Sequence, residues 1–279
     1  MKLLYAIPSY QCNLRCPHCE IHSRPEVYNR DKFISQLNSF EGDGINIFGG
    51  EPTLHEDRLF DVVSENIEHG KTKITGISTN LTILNDRLVR WYKELGGLAT
   101  SWNPQRFGNK AIYEQWLENC HTISAHEIKY ILMITLTNDL FDAYSPEQMI
   151  WAIHQMETPG LRLVKFEPYV GADATPEYFA RADTWLAEIV RLWDVDVNIS
   201  VMENACEWNF NCDDIYTLLP DGTMVNRCPH LMDPVVPTEC LTCQKISECR
   251  PCRIQRYCSY PEKTIAAVRE RKGVDPNDA

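Results

Sequence analysis

The stretch SYQCNLRCPHCEIH, Ser9–His22, decides the reading of this chain. It sets Cys12, Cys16 and Cys19 in a CxxxCxxC spacing, directly after a short apolar run, LLYAIP, that suits a first β-strand. Three thiolates at this spacing can ligate three irons of a four-iron cluster and leave the fourth without a protein ligand. An open coordination position is where a substrate or cofactor binds, by the logic that separates catalytic from structural zinc sites. Zinc is the alternative reading, although its ligands usually come as one CxxC pair with a distant second pair.

The rest of the composition narrows the setting. A chain of 279 residues, 44% hydrophobic and 24% charged, can bury one large domain or one domain with an appendage. No apolar run approaches the roughly 18 residues that span a bilayer, so no membrane partner is expected. The N-terminus has one lysine and no extended apolar h-region, and the expectation is a cytoplasmic protein. In a reducing compartment twelve cysteines point to metal ligation or catalysis rather than disulfides. A net charge of −12 argues against a sequence-independent grip on nucleic acid. From Lys245 to Gly273 the balance reverses to +5, either a solvated basic C-terminal helix or a docking face for an acidic partner.

Strand and helix patterns alternate along the first two thirds of the chain. Strands are expected at Leu3–Pro8, Ile45–Phe48, Lys73–Ser78, Leu98–Trp102, Lys129–Leu136 and Arg162–Pro168. Helix signals lie between them. Asn85 precedes DRLVRWYKEL, which Gly96 ends; Ser145 opens a capping box with Gln148; Thr175 stands before Pro176. Six such units predict an α/β fold, a partial (β/α)6 TIM-like barrel over residues 1–194. After about Val195 the texture changes to a C-terminal cysteine-rich domain, residues 195–279. It opens with a hairpin turning at Asp221–Gly222 and closes with a helix near Glu262–Lys272. Cys120 shares a helical stripe with Ile112 and Trp116 and reads as a buried core cysteine.

The motif pair CNLRCPHC and, thirty residues on, GGEP resembles the radical S-adenosylmethionine (SAM) superfamily. His18 replaces the usual aromatic residue before the third cysteine. The resemblance implies a 4Fe–4S cluster on Cys12, Cys16 and Cys19, with SAM chelating the open iron. Reductive cleavage of SAM would then yield a 5′-deoxyadenosyl radical that abstracts hydrogen from substrate. Gly49 and Gly50 allow close backbone approach to a ligand. By similarity they meet the SAM ammonium, Glu51 fixes their loop, and Asn80 and Ser101 meet the ribose or carboxylate. Asn80 and Ser101 also read as cap or turn residues. Thr135 and Glu167 occupy matching strand ends. No catalytic base is assigned; Tyr169, Asp173 and Asp221 are candidates from their loop positions.

Eight further cysteines suffice for two fully ligated 4Fe–4S clusters. Their layout resembles the SPASM extension of radical SAM enzymes. Carried over, Cys206, Cys212, Cys228 and Cys252 hold one auxiliary cluster, and Cys240, Cys243, Cys249 and Cys258 the other. Two spacings depart from that pattern: five residues separate Gly222 from Cys228, and two separate Cys249 from Cys252. One auxiliary cluster with a zinc site, or one with spare thiols as in the shorter twitch variant, is the alternative. The resemblance implies an oxidoreductase whose auxiliary clusters accept an electron while a peptide or protein is crosslinked or dehydrogenated. A flavodoxin- or ferredoxin-type donor and a separate peptide-recognition protein are the partners to expect. Pro229 stands where sulfatase-maturing relatives have an aspartate base. The second reading is dehydrogenation of a small molecule such as an aminocyclitol or sugar-like alcohol. The third is a non-catalytic iron–sulfur or zinc protein.

Overall fold

The computed structural model describes residues 2–19, 21, 24–103, 109–168, 175–201, 214–226 and 262–272. They fall into two compact units whose boundary lies within one strand, β4 (Leu98–Trp102). All six expected strands and the capped helices between them are present, so the chain has the α/β alternation of a partial TIM-like barrel.

In the first unit the order is β1 (Leu3–Ala6), α1 (Arg30–Ser39), β2 (Gly44–Ile47), a 3₁₀ turn (Pro52–His55), α2 (Glu56–His69), β3 (Ile74–Thr79), α3 (Asp86–Leu95) and β4. Strands β1 to β4 run parallel, with Leu3 opposite Gly44 and Ala6 opposite Ile47. Leu4, Ala6, Ile45, Phe33, Leu37 and Val62 form the core beneath α1 and α2. The alternation along β1 turns Leu4 and Ala6 to that core and leaves Leu3 and Tyr5 on the half-buried opposite face. Helix α3 starts and stops as its sequence predicts. Asn85 Oδ1 accepts from the amides of Arg87 and Leu88, and Gly96 takes the left-handed conformation at φ +83°.

The expected hairpin is also present. Strand β8 (Ile215–Leu218) turns back on β9 (Met224–Val225), with Gly222 at φ +77°. Asp221 accepts the Thr223 amide at 2.8 Å, which is an ordinary turn role. The hairpin does not stand apart from the barrel strands: β8 pairs in parallel with β1, Leu3 opposite Ile215.

The second unit holds α4 (Lys110–Ala125), β5 (Tyr130–Leu136), α5 (Asn138–Ala143), α6 (Pro146–Gln155), β6 (Leu161–Pro168), α7 (Pro176–Leu192), β7 (Asn198–Ser200) and α8 (Glu262–Lys272). Strands β5, β6 and β7 are parallel. Ser145 and Gln148 complete the capping box at the start of α6. Cys120 is 1% exposed in α4, and burial pushes its thiol up to about 12, as suits a core cysteine.

The C-terminal helix is clamped to α7 by one carboxylate. Asp183 accepts the Lys263 amide at 3.0 Å, the Thr264 amide at 2.8 Å and the Thr264 hydroxyl at 2.7 Å. Two free amides of the first turn of α8 are thereby satisfied. At the other end Arg271 donates to the carbonyls of Trp193 at 2.8 Å and Val190 at 3.3 Å, closing the C-terminus of α7. The basic helix therefore has a packed face, with Thr264, Ala267 and Val268 buried, while Arg269 is exposed. Among the described residues no helix is long and apolar enough to cross a membrane.

Replacing Asp183 with Ala leaves those amides without acceptors. It should lower stability by about 2 kcal/mol, read as a shift in the urea midpoint with little change in slope.

Candidate functional site

The site begins where β1 ends. Beyond Ala6 the chain leaves the sheet, and Glu26 fixes its path. The Glu26 carboxylate accepts from the Ser9 hydroxyl, the Tyr10 amide and the Arg58 guanidinium, each at 2.6 Å. Arg58 also donates to the Pro8 carbonyl at 3.0 Å and lies over the Tyr28 ring at 4.1 Å. Burial raises the Glu26 pKa, but the donors from Ser9, Arg58 and Tyr10, with the Arg58 charge, outweigh it and hold the carboxyl below its ordinary range.

The GGEP turn after β2 packs against this fixed segment. The Gly50 amide donates to Ser9 O at 3.0 Å and the Glu51 amide to Gln11 O at 2.7 Å. A Cβ on Gly50 would sit 2.0 Å from Gln11 O, and one on Gly49, at φ +136°, 2.6 Å from Ser9 O. The glycines are required because two backbones approach each other here, in addition to any ligand they meet.

Glu51 is fully buried. Its Oε1 accepts the Thr53 amide at 3.0 Å, the Thr53 hydroxyl at 2.7 Å and the Thr79 hydroxyl at 2.8 Å; its Oε2 accepts the Asn80 amide at 2.6 Å. One carboxylate thus caps the 3₁₀ turn and fastens it to the end of β3. Burial, and next the Glu51 charge, push the pKa of the nearby Tyr92 phenol upward. Leu81, just beyond, is buried at φ +54°, a left-handed conformation that costs a non-glycine residue about 1 kcal/mol. Thr79 Oγ1 accepts the Leu81 amide at 3.0 Å and helps to hold it there.

The three thiols lie on the loop so secured, and none is in a disulfide. Cys16 is buried, whereas Cys12 and Cys19 are half-buried. The Cys19 amide turns back to Cys16 O at 3.0 Å. Cys12 Sγ accepts the Leu14 amide at 3.4 Å and the Asn80 side-chain amide at 3.8 Å. Among the described residues no three His, Cys, Asp or Glu side chains stand grouped about one point as they would around a metal ion. The donor set still suits an iron–sulfur cluster: three thiols outside any disulfide on one short loop, with two N–H donors directed at Cys12 Sγ. Binding would draw the thiols together.

The other expected residues are distributed as follows. Asn80 is buried and tied to the cysteine loop. Ser101 is half-buried on β4. In the second unit Thr135 and Glu167 are register partners on β5 and β6, and Lys165 pairs with Glu167 at 2.6 Å. Tyr169, Asp173 and all eight C-terminal cysteines, Cys206 to Cys258, lie outside the described residues. Glu26, Arg58, Thr79 and Asn13 carry much of the site's geometry, and no motif spacing announces them.

Residues 6–144, about half of the chain, match the Radical SAM superfamily. Over 104 residues the chain is 36% identical to a tungsten-containing aldehyde ferredoxin oxidoreductase cofactor-modifying protein of Pyrococcus furiosus, covering 34% of this chain and 28% of that protein. Over 142 residues it is 27% identical to the Fe-coproporphyrin III synthase of Methanosarcina barkeri, covering 45% and 35%. The chain thus spans about a third of the length of the curated relatives it matches. Its fold is similar to that of anSMEcpe solved with bound AdoMet and Cp18Cys peptide, with a TM-score of 0.61 at 13% identity over 96% of this chain and 95% of that one. It is also similar to Streptococcus suis SuiB bound to the precursor peptide SuiA, with a TM-score of 0.59 at 14% identity over 96% and 66%.

Two outcomes are expected from this geometry. Because the folded Glu26 pKa is depressed, the stability it contributes is present above its unfolded value, about 4, and is lost as pH falls through the folded value. The stability gap between wild type and Glu26→Gln, followed by thermal unfolding from pH 7 to pH 3, should therefore narrow with acid. Gly50→Ala must displace the 9–11 backbone. Reconstituted protein should hold less iron than wild type, measured as iron per chain.

Proposed function

We propose that this protein is a radical SAM oxidoreductase whose residues 195–279 form a SPASM-like auxiliary-cluster domain. The observation that carries this reading is the joining of a three-thiol loop to the GGEP turn by two backbone hydrogen bonds, in a chain whose residues 6–144 match the Radical SAM superfamily. Cys12, Cys16 and Cys19 hold the SAM-binding 4Fe–4S cluster. Gly49, Gly50 and Ser101 border SAM, while Glu51 acts from below by holding the turn and Asn80 in place. Bound there, these groups supply reductive cleavage of SAM, hydrogen abstraction from substrate and, through auxiliary clusters, uptake of a second electron. The chain's own contribution is a rigid rim. Glu26 and Arg58 fix the entry to the loop, and Glu51 fixes its neighbour.

The auxiliary ligands are Cys206, Cys212, Cys228 and Cys252 for one cluster and Cys240, Cys243, Cys249 and Cys258 for the other, on the strength of their number and spacing. The preferred substrate is a peptide or protein. Two relatives of like fold, anSMEcpe and SuiB, are solved with peptides bound, which supports this choice. Pro229 weighs against sulfatase maturation as the particular reaction. A small-molecule substrate is the second reading, favoured by the similarity to an Fe-coproporphyrin III synthase. A flavodoxin- or ferredoxin-type donor supplies the electrons, and a separate protein presents the peptide. Arg271 is already engaged with α7, so the exposed Arg269 is the better candidate among the described residues for a basic docking face.

The decisive experiment is anaerobic reconstitution of wild type and of a Cys12/Cys16/Cys19→Ala triple variant, with iron and sulfide counted. About twelve irons falling to about eight is expected for three four-iron clusters. No fall would remove the cluster from this loop. Following 5′-deoxyadenosine formation with peptides against sugar-like alcohols or porphyrins then separates the two substrate readings.

A further inference from the structure

Asn80 was expected to meet SAM, yet its side chain is committed in another direction. Its Oδ1 accepts the Thr82 backbone amide at 3.0 Å and the Thr82 hydroxyl at 2.7 Å. A backbone N–H can only donate, so this contact fixes which end of the Asn80 amide is oxygen. The NH₂ end must then face the opposite way. There it donates to Asn13 Oδ1 at 2.8 Å and approaches Cys12 Sγ at 3.8 Å. Asn13 returns a hydrogen bond to Thr82 Oγ1 at 2.8 Å, closing a ring between the cysteine loop and the segment after β3. The Asn80 backbone is itself anchored by Glu51, and the residue is 6% exposed. Its orientation is therefore set by the fold and not by a ligand.

Cys12 accordingly receives N–H donors from two separate parts of the chain: the Leu14 amide at 3.4 Å and the Asn80 side chain. Hydrogen bonds to ligating sulfurs raise the potential of an iron–sulfur cluster, because they stabilise the more negative reduced state. We infer that Asn80 is a positioning residue that holds the Cys12 thiolate and sets the potential of the cluster on that loop. The inference rests on the reading that Cys12, Cys16 and Cys19 bind a cluster, and it goes beyond that reading by giving one residue control of its reducibility. No bond is made or broken by Asn80. It acts through one polar hydrogen.

The test is a redox titration followed by electron paramagnetic resonance on reconstituted wild type, Asn80→Asp and Asn80→Ala. The relevant signal is the one absent from the triple cysteine variant. Asn80→Asp keeps the acceptor that Thr82 uses and removes the donor facing sulfur; Asn80→Ala removes the donor without adding charge. The midpoint is read on the loaded fraction, so partial loading does not blur it. Both variants should titrate at more negative potential than wild type. A midpoint unchanged in both would overturn the inference. A shift in Asn80→Asp alone would also overturn it, since that is the field of a new carboxylate. A readout on unaltered sequence guards against misfolding: wild type labelled with ¹⁵N-asparagine, reduced and frozen, should show a ¹⁵N hyperfine coupling that Asn80→Asp lacks. Its absence would count against the inference. If the triple cysteine variant retains every signal and all its iron, the cluster assignment fails, and that outcome is distinct from an unchanged midpoint.

Discussion

A carboxyl group buried to zero exposure needs hydrogen-bond donors for its oxygens, and Glu51 has four. Those donors come from two segments, the Thr53 turn and the Thr79–Asn80 end of β3. Satisfying those oxygens therefore requires the second and third β/α connections to meet. The cysteine loop is then pinned on the same support, through the Glu51 amide to Gln11 and the Asn80 side chain to Asn13. Removing this one interaction would loosen three loops together.

The loop is held from its other side by a different kind of contact. Glu26 and Arg58 form a partly buried ion pair, and the same Glu26 takes the Ser9 hydroxyl and the Tyr10 amide. Its worth lies in the geometry it imposes more than in net stability, since desolvation offsets much of a buried pair's attraction. Between the two supports the backbone from Pro8 to Gln11 is held by hydrogen bonds to Pro8 O, Ser9 O and Gln11 O and from the Tyr10 amide. That arrangement suits a site whose scaffold is built by the fold before its ligands take up a metal group.

Asn80 illustrates how a residue type can be read correctly and its role still be read differently from the chain and from the fold. The end of a strand before a Thr-containing turn is an expected place for an Asn that caps or binds. The Thr82 amide, two residues on, decides that its oxygen stays within the turn and its NH₂ group turns to sulfur. Glycines 49 and 50 show the same effect. Their smallness signalled a close approach, and the approach that the structure displays is by the Ser9–Gln11 backbone.

The sequence by itself determined the β/α alternation, the helix ends at Asn85, Gly96 and Ser145, the burial of Cys120 and the location of the thiol loop. Each of these depends on local periodicity, on a cap or on a short motif, and such signals lie within a few residues of one another. What the tertiary structure alone decided is which distant groups stabilise that loop: Glu26 with Arg58, Thr79 with Glu51, Asn13 with Asn80, and β8 beside β1. Those partners are separated by 28 to 67 residues for the hydrogen bonds and by more for the strands, and no local pattern encodes their meeting. They come together because the parallel register places successive strand ends side by side, so chain distance becomes a few ångströms only once the sheet has formed.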